Sequence, residues 1–121
     1  MDELIGRLVA NVGLDRSVAE KAVGIILQFL SAEGPPEKVK ALIDKLPGAE
    51  AAVTAAGNAS GIGGMFGGGI MGAGARMMAA GLSMGQVQAV TRETIAYARE
   101  KAGEDAVGEI VGAIPGLGQF V

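Results

Sequence analysis

Residues 81–121 read GLSMGQVQAVTRETIAYAREKAGEDAVGEIVGAIPGLGQFV, and residues 13–53 read GLDRSVAEKAVGIILQFLSAEGPPEKVKALIDKLPGAEAAV. The two stretches align without a gap at an offset of 68 residues. Gly13-Leu14 falls on Gly81-Leu82, and Leu46-Pro47-Gly48 falls on Ile114-Pro115-Gly116. Between them Val39, Leu42 and Ile43 fall on Val107, Ile110 and Val111, and Phe29 falls on Tyr97. Only six of the 41 pairs are identical. The signal therefore lies in which positions match. They are turn residues and apolar core positions, where an old duplication persists longest. The alignment predicts a repeat unit at 1–53, a connector at 54–68 and a second unit at 69–121, together one domain.

Each unit reads as three helices. Asp2 is a cap for a first helix over about 3–12, with Leu4, Ile5, Leu8, Val9 and Val12 at helical spacing. Gly13 stops it, because glycine adopts the left-handed conformation cheaply. Asp15 is the expected cap of a long helix over about 16–32, with Val18, Ala22, Ile25, Ile26 and Phe29 inward. Gly34-Pro35-Pro36 ends that helix, and Pro36 suits the first turn of a third, about 36–46. In the second unit, residues 70–80 replace the first helix and Met77 falls on Val9. Ser83 caps a helix over 84–102, with Val87, Val90, Ile95 and Ala98 inward and Thr91 and Thr94 interrupting that face. Gly103 breaks the chain, and Glu104-Asp105 opens a last helix with negative charge at its positive dipole end. The expected fold is all-α, a six- to seven-helix bundle of two duplicated three-helix units joined by a glycine-rich connector. Residues 49–56 make a short alanine-rich helix, and 57–69 hold seven glycines and no charge.

Composition narrows the function. The net charge of −3 opposes nucleic-acid binding, which needs a basic face to displace counterions. The absence of Cys and His removes disulfides, thiolate nucleophiles and the usual zinc and iron–sulfur ligands. Met1-Asp2-Glu3 opens an acidic amphipathic segment rather than the basic start and apolar run of a signal peptide, which points to the cytoplasm. Gly67-Gly68-Gly69-Ile70-Met71-Gly72 has the spacing of the dinucleotide fingerprint, but that motif needs a preceding strand. Gly57/Gly61 and Gly64/Gly68/Gly72 have the spacing of close-packed membrane helices. Their uncharged stretch, 51–75, has nine glycines in 25 residues and is too poor in apolar side chains for stable insertion. Glu93 and Glu100 can share a helix face, yet no nucleophile or metal-ligand set accompanies them. No catalytic, metal or cofactor site is expected.

The remaining signal is apolar surplus. Met65, Met71, Met77, Met78 and Met84 crowd one stretch beside Phe66, and Phe120 is the last residue but one. These seven residues form the candidate interaction set, since methionine-rich surfaces adapt to partners, although such residues also fill irregular cores. The expectation is a non-enzymatic interaction or structural module that self-associates as a homodimer or higher oligomer. The alternative is a peripheral membrane or envelope-associated protein touching lipid through residues 57–84.

The stretch from Gly81-Leu82-Ser83 to Ile114-Pro115-Gly116 resembles a bacterial family of small helical proteins of uncharacterised function, associated with the Vibrio VcgC/VcgE proteins. There an opening Gly-Leu-Ser precedes a long helix that ends in a Tyr-containing, Gly-terminated segment, here Tyr97-Ala98-Arg99-Glu100-Lys101-Ala102-Gly103. Leu46-Pro47-Gly48 followed by alanine- and glycine-rich sequence matches as well, so the resemblance covers roughly residues 10–121. A weaker similarity to YidB-like bacterial proteins rests on Gly13-Leu14-Asp15 and Leu46-Pro47. Some of those relatives resemble lipoproteins, and this chain lacks the Cys such anchoring needs. The resemblance implies a helical fold and transfers no catalytic residue.

Overall fold

The computed structural model describes residues 2–46, 48–55, 69–114 and 117–119. They form seven α-helices, and no strand occurs among the described residues. The helices are α1 (Asp2–Asn11), α2 (Arg16–Glu33), α3 (Pro36–Lys45), α4 (Ala49–Ala55), α5 (Gly69–Ala79), α6 (Met84–Ala102) and α7 (Glu104–Ala113). A short 3-10 turn, Leu117–Gln119, follows. The bundle class matches the reading of the sequence. The stretch 56–68, which holds nearly all of the expected connector, lies outside the described residues.

The helix stops explain most of the boundaries. Gly13 and Gly81 turn the chain at φ +80° and +113°, conformations that a side chain would strain. Leu46 and Ile114 close α3 and α7 in extended backbone, and their N–H groups reach back to the carbonyls of Ile43 and Val111 at 3.1 and 3.2 Å. The caps of the two long helices differ. Ser83 Oγ accepts from the Gln86 N–H at 3.2 Å, and Gln86 Oε1 accepts from the Ser83 N–H at 2.9 Å, a reciprocal capping box. Asp15 occupies the cap position of α2 but makes no side-chain capping bond. Residue 18 is Val, so no side chain there can complete the box.

The long helices α2 and α6 pack against each other at the centre. Each also receives the first helix of the other half: α1 lies on α6 and α2, and α5 lies on α2 and α6. The third helices, α3 and α7, meet each other. Leu8, Ile26, Leu30, Leu42, Val90, Ile95 and Ile110 are buried in one continuous cluster that draws on both halves. Burying a side chain of this size stabilises by roughly 1.5–3 kcal/mol, before the entropy of ordering it.

Two expectations change. Val9 is 40% exposed, whereas Met77, at the matching position, is 2% exposed. In α1 the buried place is taken by Leu8; its counterpart is the charged Arg76, so the next residue, Met77, goes inward instead. Thr91 and Thr94 do not interrupt the inner face of α6, because both are buried in it. The Thr91 hydroxyl donates to the Val87 carbonyl at 2.8 Å, which lets it tolerate burial. The alanine-rich helix expected over 49–56 is present as α4, Ala49–Ala55, and packs along α2. Ala49 and Ala52 are buried there, and Gln28 Nε2 donates to the Val53 carbonyl at 2.9 Å. Small side chains allow this close approach.

Candidate interaction surface

The turn joining α5 to α6 is held from several directions. The Gly81 N–H donates to the Met78 carbonyl at 3.0 Å, and the Leu82 N–H to the Met77 carbonyl at 3.2 Å. Leu82 and Met77 point into the core. The capping box fixes the start of α6, and Gln86 Nε2 donates onward to the Val12 carbonyl of the α1 end at 3.4 Å. With these anchors inside, Met78 and Met84 stand outside at 47% and 59% exposure. Ala79, Gly81 and Ser83 between them are also exposed, and none carries charge.

The structure thus divides the candidate interaction residues. Met78 and Met84 share an exposed corner, and Met77 leaves the set for the core. Met71 lies in α5. Met65, Phe66 and Phe120 lie outside the described residues. Gln86 was missed by the reading of the sequence, although Ser83-Met84-Gly85-Gln86 carries the spacing of a capping box.

A charged seam joins α1 to the end of α6. Arg7 donates through Nη1 to Glu100 Oε2 at 2.7 Å and through Nη2 to Glu3 Oε1 at 3.1 Å. Lys101 Nζ lies 3.8 Å from Glu3 Oε2. Beneath them Tyr97 is buried, with Arg7 and Lys101 at 5.6 and 5.5 Å from its ring centre, within cation–π range. The hydrogen bond from Arg7 holds the Glu100 carboxyl below its ordinary range, and the same bond raises the Arg7 guanidinium. A separate ion pair, Lys38 with Glu109, ties α3 to α7.

Of the two carboxylates singled out in the sequence, Glu100 is paired with Arg7, whose hydrogen bond lowers it. Among the described residues no group of three acidic side chains is placed to hold a metal ion. No described helix is long and apolar enough to cross a membrane. No family model, curated protein or solved structure matches the chain.

Proposed function

We propose that the chain is a non-enzymatic helical interaction module that self-associates, built from two fused copies of one three-helix unit and working in the cytoplasm. The observation that carries this reading is the α5–α6 corner. It leaves two large apolar side chains, Met78 and Met84, on a charge-free turn whose other members are firmly anchored. Contiguous exposed apolar surface marks interaction sites, and these are two of the three large apolar side chains that stand exposed among the described residues. The duplication draws support from the reciprocal packing, in which α1 lies on α6 as α5 lies on α2. The resemblance of residues 81–116 to the uncharacterised bacterial helical family belongs to the same proposal. Light scattering after size exclusion tests the function. A mass above the 12.1 kDa of one chain is expected, and a mass that stays at one chain at every concentration would sink it.

A second reading, peripheral contact with lipid, is favoured by the same exposed methionines. The corner lacks the cations that hold peripheral segments to anionic headgroups, so this reading ranks below the first.

A further inference from the structure

We propose that Met78 and Met84 are an oxidation site of the folded chain: peroxides convert both to sulfoxides and turn the α5–α6 corner from apolar to polar while the bundle stays intact. Neither the site nor its chemistry requires self-association. The chain has no Cys, so thioethers are the only sulfur it offers to an oxidant. Met78 and Met84 stand in solvent, whereas Met77, the residue beside Met78, is buried. Access therefore separates two neighbours of identical chemistry. In each reaction the sulfur lone pair attacks one oxygen of the peroxide. An S–O bond forms as the O–O bond breaks, and the sulfur gives up two electrons. The displaced oxygen takes the proton shed by the transferred one and leaves as water.

The turn holds its shape without the two exposed thioethers. Its hydrogen bonds run between backbone groups, as from Gly81 to Met78 and from Leu82 to Met77, and between Ser83 and Gln86 in the capping box. Its apolar anchors are Met77 and Leu82, both in the core. A sulfoxide at Met78 or Met84 breaks none of these and stays hydrated. A sulfoxide at Met77 would bring a strong acceptor into the core, where a polar group without a partner is costly. The change in surface character is large at this place, because residues 77–91 contain no charged side chain. Two S–O dipoles there replace the most apolar exposed groups of the turn. Sulfoxides are also reduced enzymatically, so the change is reversible.

A time course with hydrogen peroxide in dilute solution tests this. Cleavage after Arg76 and Arg92 by trypsin places Met77, Met78 and Met84 on one peptide, and fragmentation in the mass spectrometer assigns each oxygen. In the native chain Met78 and Met84 should oxidise at least about ten times faster than Met77, which an oxidant reaches only when the bundle opens. In concentrated urea the three rates should converge. The helical circular dichroism spectrum should stay unchanged while Met78 and Met84 are consumed. Retention on a hydrophobic-interaction column should fall, and methionine sulfoxide reductases A and B together should restore it. M78L/M84L keeps the corner apolar without a sulfur, so peroxide should shift its retention far less than that of wild type. Native rates at Met78 and Met84 no faster than at Met77 would overturn the site. Loss of helix in step with their oxidation would overturn the claim that the bundle is indifferent to it. An equal retention shift in M78L/M84L would overturn the corner as the surface that changes.

Discussion

The seam between α1 and α6 and the seam between α5 and α2 use the same helices of the two halves, yet their chemistry differs. At the 68-residue offset Glu3 falls on Met71, Arg7 on Ala75, Glu100 on Ala32 and Lys101 on Glu33, while the ring beneath changes from Tyr97 to Phe29. One seam carries a linked set of ion pairs over an aromatic ring. At the corresponding positions of the other, a single charge remains. Both nonetheless place a short helix against the same pair of long ones. Apolar residues therefore set the arrangement, and the charges are an addition to it. Exposed ion pairs contribute little to stability, which agrees with their absence from one side.

The seams also differ in how they fill space. The helix α1 inserts Leu4, Ile5 and Leu8, all buried. At the positions matching Leu4 and Ile5, α5 has Gly72 and Ala73, which are buried too. The first seam depends on large side chains and the second on close approach. Opposite substitutions should therefore damage them. Leu8→Ala should cost about 2–5 kcal/mol by leaving a cavity, and Ala73→Leu should cost about 1–3 kcal/mol by overfilling. Urea denaturation measures both. A Leu8→Ala cost no larger than that of a surface substitution would show that α1 is not seated as described, and a harmless Ala73→Leu would remove the contrast.

The long helices sharpen the comparison next. Thr94 of α6 falls on Ile26 of α2, and both are buried. The Thr94 hydroxyl is 1% exposed as a residue and its Oγ1 has no hydrogen-bond partner, which is a cost that Ile26 avoids. Thr94→Val keeps the shape and removes the unpaired group, so it should stabilise by about 1 kcal/mol in thermal or urea unfolding. Destabilisation by that amount would mean that the hydroxyl has a partner, such as an ordered water, and that the two long helices differ for a structural reason.

The places where the sequence was and was not legible follow the range of the forces involved. Helix ends were legible because they are local: Gly13, Pro36, Gly81, Ser83 and Gly103 act within a turn of their own position. The inward faces of α2 and α3 were legible because apolar spacing survives there. The depth of α4 was not, because alanine on every face carries no periodic signal, and only the tertiary structure shows Ala49 and Ala52 against their neighbours. Burial of Thr91 depends on a bond to its own helix and burial of Thr94 on the surrounding core, so polarity alone misplaced both. The charged seam pairs residues 93 positions apart, and no local pattern announces that Arg7 will meet Glu100. Of the candidate interaction residues, Met78 and Met84 were named without a means of separating them from Met77, since all three are equally apolar and only packing decides which turns inward.

The smallest expected effect tests whether the charged seam adds anything at all. The Arg7 hydrogen bond lowers the Glu100 carboxyl in the folded chain from its ordinary value of 4.5. A carboxyl whose folded pKa is lowered binds its proton more readily in the unfolded chain. Its stabilising contribution is therefore complete above pH 4.5 and disappears as pH falls through the lower folded value. Arg7 is shifted the other way, upward, so its contribution is present at every ordinary pH and is lost only in strong alkali, beyond the range where the chain would be studied. Acid is thus the accessible arm. Glu100→Gln should melt slightly below wild type at pH 7, and the gap should close as pH drops below the carboxylate range. Salt at 1 M, where the screening length is about 3 Å, should narrow the gap at pH 7 as well. The chain has one tyrosine and no tryptophan, so Tyr97 fluorescence follows this seam directly during each melt. A gap that persists in acid and in salt would show that Glu100 acts through packing beside Tyr97 rather than through its charge, and the two seams would then be closer in kind than their sequences suggest.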